Sequence, residues 1–136
     1  MRVAVDTHAL VWYLQGSSRL SAAARAALDG AVDGAVRFGG VIVSAGVLFD
    51  LVYLTEKGKL SFESMRQVRD VIADVGLPFS LAPVNIWVMD YFTEPGPVKL
   101  PDPWDRLIVA TAASQGLTLV TRDERITGSG IVSTIW

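Results

Sequence analysis

The sequence predicts an α/β domain with a mainly parallel central sheet flanked by helices. Short apolar runs alternate with longer helical patterns along the chain, and this alternation is typical of β-α-β units. Hydrophobic residues make up 51% of the 136 residues and charged residues only 19%, so the chain can build a sizeable core. We therefore expect a single domain that covers residues 1–136.

The composition disfavours several classes of protein. The chain has no cysteine, so disulfides and thiolate metal sites are excluded. No apolar run reaches the length of a membrane span, and the N-terminus lacks the pattern of a signal peptide. The net charge of −2 gives no broad basic face, which disfavours tight binding to long duplex nucleic acid. We expect a cytoplasmic protein with no membrane partner.

The first strand is predicted over Val3–Val5 and is followed directly by Asp6. A helix then begins, and Asp6 and Thr7 stand where capping residues stand. A strand that ends in aspartate also presents a metal ligand in several phosphoryl-transfer folds, so both interpretations stay open. A phosphatase of the haloacid-dehalogenase type needs a second aspartate where this chain has His8, its only histidine. That class is therefore disfavoured.

The next segments are predicted as helix, loop, strand and helix. Residues 20–28 form an alanine-rich helix capped by Ser21, and the glycine-rich stretch 29–40 forms a loop. Val41–Ser44 is a second buried strand. Its last residue caps a helix over residues 45–57.

That helix carries a single acid, Asp50, in its strongly apolar part. Burial of an unpaired carboxylate is costly, so Asp50 should be paired, protonated or bound to a cation. Alternatively, it lies at a solvent-exposed helix edge or pairs with a distant arginine. Aspartate is a poor helix former within a helix, and this favours the functional interpretation.

The following segments continue the alternation. Helices are predicted over residues 62–75 and 85–92, with a short strand over Phe79–Ala82 between them. Residues 94–101 contain three prolines and form a connector.

The last third of the chain is predicted as a helix and two strands. Asp102 caps the helix in front of a proline at the first helical position. Side chains 107–113 are apolar or small on every face, so this helix should be enclosed. A buried strand over residues 117–120 leads into an acidic turn, and an edge strand over residues 131–136 follows.

Four acids are predicted to meet at the carboxyl edge of the sheet, where ligands bind in such folds. Asp6 and Asp123 each follow an apolar strand. Asp50 and Asp105 lie in early turns of helices, and the helix of Asp50 leaves the same edge. Two carboxylates about 4 Å apart repel each other by roughly 4 kcal/mol at an effective dielectric constant near 20, so the cluster needs a counter-charge. Oxygen ligands without a cysteine or histidine cluster favour Mg²⁺ or Mn²⁺, and such an ion can activate a water against a phosphodiester.

These acids lie in three blocks of sequence: VAVDTHALVWYL, VSAGVLFDLVYLTEKGKL and LPDPWDRLIVATAASQGLTLVTRDERI. The blocks resemble the signature blocks of PIN-domain proteins, and specifically those of VapC-type toxins of bacterial toxin–antitoxin pairs. The resemblance implies a single PIN-like domain with the activity of a metal-dependent endoribonuclease that hydrolyses RNA. It also implies a cognate antitoxin as partner, and a homodimer or a toxin–antitoxin hetero-oligomer.

The resemblance implies roles for individual residues. Asp6 and Asp105 match the main metal ligands for Mg²⁺ or Mn²⁺, and Asp123 matches the acid after the last strand of the third block. The middle acid of the family is usually Glu, and Asp50 takes its place. Because Asp is one methylene shorter, Asp50 contacts the metal directly or through a water. The residues predicted to contact the substrate or to support the ligands are Thr7, Ser44, Arg106 and Thr121.

A second hypothesis comes from a different class of protein. In this hypothesis the chain is a PIN-shaped module that binds RNA or antitoxin without cutting, because its site is degraded at Asp50.

The first and third helices carry more large aromatic side chains than a core of this size needs. The residues concerned are Trp12, Tyr13, Phe49 and Tyr53. Some of them should form an exposed groove that a partner protein covers.

Overall fold

A five-stranded parallel sheet forms the centre of the fold. The computed structural model describes residues 1–34, 40–94 and 99–136. The strands are β1 (Val3–Val5), β2 (Val41–Ser44), β3 (Phe79–Ala82), β4 (Leu119–Val120) and β5 (Thr134–Ile135). They lie in the order β3-β2-β1-β4-β5, and every neighbouring pair is parallel. The predicted α/β class is confirmed.

Helices connect the strands. Within the described ranges they are α1 (Thr7–Gln15), α2 (Ala22–Asp33), α3 (Ala45–Glu56), α4 (Phe62–Ala73), α5 (Ile86–Thr93), α6 (Pro103–Ser114) and α7 (Glu124–Ser129). Helix α6 is the most central, since it packs against α3, α5 and two of the three inner strands, β1 and β2.

A capping side chain fixes the start of each of these helices. In every case a side-chain oxygen accepts a backbone N–H of the first turn, which supplies one of the partners that a helix N-terminus lacks. The capping residues are Asp6, Ser21, Ser44, Ser61, Asn85, Asp102 and Asp123. The predicted caps Ser21, Ser44 and Asp102 are therefore confirmed.

The loop predicted over residues 29–40 is wrong for its first part, because α2 continues to Asp33. Leu28 and Ala31 are both buried in the core, so the apolar face of the helix continues past Gly30. Glycine within a helix costs about 1 kcal/mol relative to alanine, and packing of this face outweighs that cost. Residues 35–39 of the predicted loop lie outside the described residues.

Other boundaries differ by a few residues. Helix α4 ends at Ala73, since Asp74 has an extended backbone, and the last two strands are shorter than predicted. The acidic turn after β4 continues as the short helix α7, which the sequence did not predict. The helix predicted over residues 85–92 is observed as Ile86–Thr93. Within the predicted connector, residues 95–98 lie outside the described residues.

The core surrounds strands β1 and β2. All side chains of β1 and β2 are buried, and Leu10 of α1 and Ile108 of α6 are buried against the same cluster. Full burial of an aliphatic side chain contributes about 1.5–3 kcal/mol, so this cluster holds the ends of β1 and β2 rigidly. Residues 108–112 of α6 are buried as predicted, whereas Leu107 and Ala113 are partly exposed. None of the helices in the described part of the chain is long and apolar enough to cross a membrane.

Candidate active site

Asp6 lies at the carboxyl end of β1, beside the end of β4. Val5 of β1 is paired with Val120 of β4, so the next residues, Asp6 and Thr121, lie side by side. The hydroxyl of Thr121 donates a hydrogen bond to Asp6 Oδ2 at 2.5 Å, and the N–H of Ala9 donates to Asp6 Oδ1 at 2.9 Å. The carboxylate thus caps α1, which confirms one of the two interpretations made from the sequence, and is also held towards β4. Its role as a metal ligand stays a prediction.

Asp123 is linked to Asp6 through the same threonine. The N–H of Asp123 donates to Thr121 Oγ1 at 3.0 Å, so the hydroxyl proton of Thr121 is directed to Asp6. One oxygen of Asp123 accepts the N–H groups of Arg125 and Ile126 and caps α7. Thr121 is buried and acts as the connection between two acids.

Asp50 and Asp105 come from two helices that pack unusually closely. A Cβ atom at Gly46 of α3 would lie 2.8 Å from the backbone oxygen of Trp104 in α6. Only glycine therefore allows this approach of the two helices. Asp50 lies one turn after Gly46, and Asp105 directly follows Trp104, so the close contact brings these two acids to the same part of the molecule.

The acids line one cleft, which has a volume of about 500 Å³ and is named here the acidic cleft. Its lining residues are Asp6, Thr7, His8, Trp12, Asp50, Leu54, Lys57, Asp102, Asp105, Arg122 and Asp123. The structure therefore brings together all four acids that the sequence predicts to meet. It adds a fifth acid, Asp102, which also caps α6.

The pKa values of two acids in the cleft are raised, mainly by burial. Burial raises the pKa of Asp105 to about 7, and the negative charges of its acidic neighbours add to this effect. In decreasing order these neighbours are Asp102, Asp123, Asp50 and Asp6. Burial also raises the pKa of Asp6, although the hydrogen bonds from Thr121 and Ala9 oppose that shift. The cleft therefore favours any cation that relieves the repulsion.

Among the described residues, no group of three or more acidic or histidine side chains is arranged so that it could hold a metal ion. Mg²⁺ does not require such a group, since this ion commonly keeps several waters and is held by one or two carboxylates. Asp6 and Asp105, with raised pKa values in one cleft, fit that mode of binding. The metal roles of the four acids stay predictions.

Thr7 has an unsatisfied hydroxyl in the wall of the cleft. The residue is only 2% exposed, and its Oγ1 atom has no hydrogen-bond partner among the described residues. A buried polar group without a partner costs about 1–3 kcal/mol. The Thr7 hydroxyl is therefore a hydrogen-bonding group in the wall of the cleft that the described residues leave unused.

Ser44 and Arg106 do not line the cleft. Ser44 Oγ accepts the N–H of Gly46 at 3.1 Å and is hydrogen-bonded to Thr111 Oγ1 at 2.9 Å, so it supports the packing of α3 on α6. The guanidinium of Arg106 donates to the carbonyl of Phe92 at 2.8 Å and lies over the Phe92 ring, which ties α6 to α5. Both residues have partners within the fold, although Arg106 Nε is buried and has no hydrogen-bond partner among the described residues.

Several cleft residues were not predicted from the sequence. Lys57 could have been found, because residues 50, 54 and 57 recur at helical spacing and so share one face of α3. His8 and Trp12 are likewise four residues apart on α1, with ring centroids 5.5 Å apart. Arg122 lies between two recognised residues and has no spacing signal of its own.

The aromatic side chains divide into two groups. Trp12 and Tyr13 are partly buried against the core, and the Tyr13 hydroxyl donates to Asp29 at 2.7 Å. Phe49 and Tyr53 are 50% and 44% exposed, and both rings stack on Trp104. The exposed aromatic patch therefore consists of Phe49, Tyr53 and the partly exposed Trp104, without the two residues of α1.

The chain is similar in sequence to proteins of a known family. The PIN domain model matches residues 3–128. Ribonuclease VapC22 of Mycobacterium tuberculosis is 32% identical over 129 residues, which cover 91% of this chain and 88% of that protein.

Solved structures share the fold at lower identity. VapBC2 from Rickettsia felis, bound to a DNA fragment from its promoter, has a TM-score of 0.68 at 17% identity over 98% of this chain and 97% of the other. FitAcB from Neisseria gonorrhoeae has a TM-score of 0.63 at 17% identity over 97% and 95% of the two chains. VapBC-1 from nontypeable Haemophilus influenzae has a TM-score of 0.60 at 15% identity over 98% and 96%.

Proposed function

Because this chain belongs to the PIN-domain family, we propose that it is a Mg²⁺- or Mn²⁺-dependent endoribonuclease, the toxin of a toxin–antitoxin pair. The observation that carries the proposal is the acidic cleft, where Asp6, Asp50, Asp105 and Asp123 arrive from four separate parts of the chain. The relative with 32% identity, ribonuclease VapC22, supports RNA as the substrate class.

Asp6 and Asp105 would hold the divalent ion, with Asp50 acting through a water and Asp123 completing the negative charge. When bound, the ion supplies a water of lowered pKa and neutralises charge on the phosphodiester. Hydrolysis would add a water to phosphorus and break the bond from phosphorus to the leaving sugar oxygen, with one proton lost by the water and one gained by the leaving oxygen. No side chain forms a covalent intermediate.

The other polar residues of the cleft would position the reacting groups. Thr121 holds the Asp6 carboxylate through its hydroxyl and so fixes the direction of one ligand. The unpartnered hydroxyl of Thr7 would donate to a phosphate oxygen or to a bound water. Lys57 and Arg122 place two positive charges in the same cleft, where they would stabilise a phosphate drawn towards the acids.

An antitoxin is the proposed protein partner. The fold neighbours VapBC2 and VapBC-1 are toxin–antitoxin assemblies, which supports this assignment for a chain of the same fold. The exposed aromatic patch of Phe49, Tyr53 and Trp104 is the kind of surface that a partner covers. A homodimer or a toxin–antitoxin hetero-oligomer would bury it.

A second candidate function is RNA or antitoxin binding without cleavage. Two observations favour it: Asp50 is shorter than the Glu usual in the family, and no group of three or more acidic or histidine side chains in the described residues is arranged so that it could hold a metal ion.

One experiment separates the two functions. The purified chain is incubated with single-stranded RNA in Mg²⁺, in Mn²⁺ and in EDTA, and both binding and cleavage are measured. Cleavage that requires the ion supports the ribonuclease, whereas binding with no cleavage in either metal supports the second candidate.

A further inference from the structure

A second pocket adjoins the acidic cleft on the side of α1 and α4. It has a volume of about 430 Å³ and lies between α1 and the turn that leads into α4. It shares three wall residues with the acidic cleft, His8, Trp12 and Leu54. The two depressions are therefore continuous across one wall.

The second pocket has the opposite charge. Arg19 and Lys59 line it together with the hydroxyl-bearing Ser61, and no acidic residue occurs among its described lining; it is named here the basic pocket. Both basic side chains are exposed, and neither forms an ion pair within the described part of the chain. Two uncompensated cations thus lie immediately beside the crowded carboxylates.

We propose that the basic pocket binds the backbone phosphates of RNA next to the phosphodiester that is cut, a proposal that rests on the ribonuclease function above. The RNA substrate of an endonuclease continues on both sides of the reacting phosphate. Its negatively charged backbone must therefore run from the acidic cleft along the neighbouring surface. The strand crosses the wall of His8 and Trp12 and reaches Arg19 and Lys59. The Trp12 ring is partly buried, and its centroid lies 5.8 Å from that of the Trp136 ring. It offers the crossing nucleotide an aromatic surface.

RNA fits the pair of depressions better than an acidic protein segment does. An acidic segment satisfies the basic pocket alone and is repelled by the acids next to it. A polynucleotide satisfies both, because one phosphate meets the metal-binding carboxylates through a cation while its neighbour meets Arg19 and Lys59. The fixed order of these charges also gives the strand a defined path.

The test measures RNA binding in the non-cleaving Asp105→Asn full-length chain, with a single strand of about ten nucleotides. Arg19→Ala and Lys59→Ala should each weaken binding about fivefold. Each should also reduce the slope of log affinity against log salt by about 0.7, as expected for one lost phosphate contact on a single strand. Arg66→Ala is the matched control, because Arg66 is exposed on α4 and lines neither depression. It should leave affinity and slope unchanged.

A cleavage measurement in the otherwise native chain adds a second readout. With a strand that reaches the basic pocket, Arg19→Ala and Lys59→Ala should raise KM and leave kcat unchanged. With a dinucleotide, whose single phosphate is the one that is cut, they should change neither constant.

The outcomes separate this proposal from the proposed function. If both variants bind RNA with the affinity and salt slope of Arg66→Ala, the RNA assignment of the pocket is wrong, even if the native chain cleaves RNA. If they weaken RNA binding as expected but the native chain never cleaves, the pocket stands and the nuclease function fails. If they weaken binding of an acidic peptide and not of RNA, the pocket belongs to a protein partner and the proposal is overturned.

Discussion

The ends of β1 and β2 are neighbours in the sheet, and both carry polar side chains, but they are built for different purposes. After β2, Ser44 and Thr111 share a hydrogen bond of 2.9 Å, and Thr111 also donates to the carbonyl of Leu107 at 2.7 Å. This group is neutral, buried and fully paired. After β1, Asp6 is an acid whose pKa is raised by burial, and the adjacent Thr7 hydroxyl has no partner within the described residues.

The difference shows how one sheet edge supports both packing and chemistry. A satisfied neutral network costs little to bury and fixes the close contact of α3 with α6. A buried carboxylate and an unpaired hydroxyl are costly in the free protein, and that cost is recovered when a ligand supplies a counter-charge or the missing partner. On this account, substitutions at the β2 end should reduce stability, whereas substitutions at the β1 end should reduce activity.

The largest effect is expected on cleavage, from loss of a carboxylate of the acidic cleft. Asp6→Asn and Asp105→Asn should each reduce RNA cleavage by on the order of 10²–10³-fold, since each removes a proposed metal ligand. Asn keeps the capping oxygen at position 6, and removal of one charge from a repelling cluster should leave the metal-free stability unchanged or raise it.

Asp90→Asn is the control for these two variants, because Asp90 is exposed on α5 and outside the cleft. It should cleave at the native rate. Native cleavage by Asp6→Asn or Asp105→Asn would remove that residue from the site, and marked destabilisation of both metal-free variants would show that the two carboxylates stabilise the fold.

The largest effect on stability is expected at the β2 end, from Gly46→Ala. The added methyl would lie 2.8 Å from the backbone oxygen of Trp104, so the two helices must move apart at a cost of about 1–3 kcal/mol. Gly30→Ala is the matched change in an open part of α2 and should stabilise by about 0.5–1 kcal/mol. Urea unfolding measures both, and equal effects of the two changes would show that the close contact is unimportant.

A smaller effect is expected from pH. In the metal-free protein the pKa of Asp105 is about 7, above its ordinary 3.8, so the folded state binds this proton more tightly than the unfolded chain. Stability should therefore fall as pH rises from 3.8 towards 7, by on the order of 1–2 kcal/mol once solvent screening at this half-buried carboxylate is allowed for. Unfolding in EDTA at pH 5 and pH 8 measures the change. Asp105→Asn should flatten the profile, and an unchanged profile in that variant would exclude Asp105 as its cause.

The smallest effects come from a pair of threonines and compare the two strand ends directly. Thr111→Val should cost about 1 kcal/mol of stability and leave cleavage per folded molecule unchanged, because its hydroxyl is paired within the fold. Thr7→Val should leave stability unchanged or slightly raised, because its hydroxyl has no partner in the described structure, and should slow cleavage several-fold. The reverse pattern would show that the roles of the two strand ends have been exchanged.

Local sequence patterns were sufficient for much of the fold. The strands Val3–Val5, Val41–Ser44 and Phe79–Ala82 are observed where short apolar runs placed them, and Asp102 caps a helix as its position before proline indicates. Helix α2 was predicted too short because the packing of Ala31 outweighs the local preference of Gly30.

Side-chain roles depend on distant partners and were less predictable. Ser44 and Thr121 look alike in sequence, since each is a hydroxyl residue after an apolar run. Ser44 pairs with a neutral threonine 67 residues away and supports packing, whereas Thr121 pairs with Asp6, 115 residues away, and supports the site. No local pattern distinguishes these two outcomes.

The central claim is that the acids of the cleft bind a divalent cation, and calorimetric titration tests it most directly. Mg²⁺ and Mn²⁺ are titrated into the native chain and into Asp105→Asn at pH 7 and pH 8, in buffers of different ionisation enthalpy. The native chain should bind the ion and release protons at pH 7, because Asp105 is partly protonated there before the metal enters. Asp105→Asn should bind at least about tenfold more weakly and release fewer protons. Absence of binding to the native chain, or equal affinity and proton release in the variant, would contradict the claim.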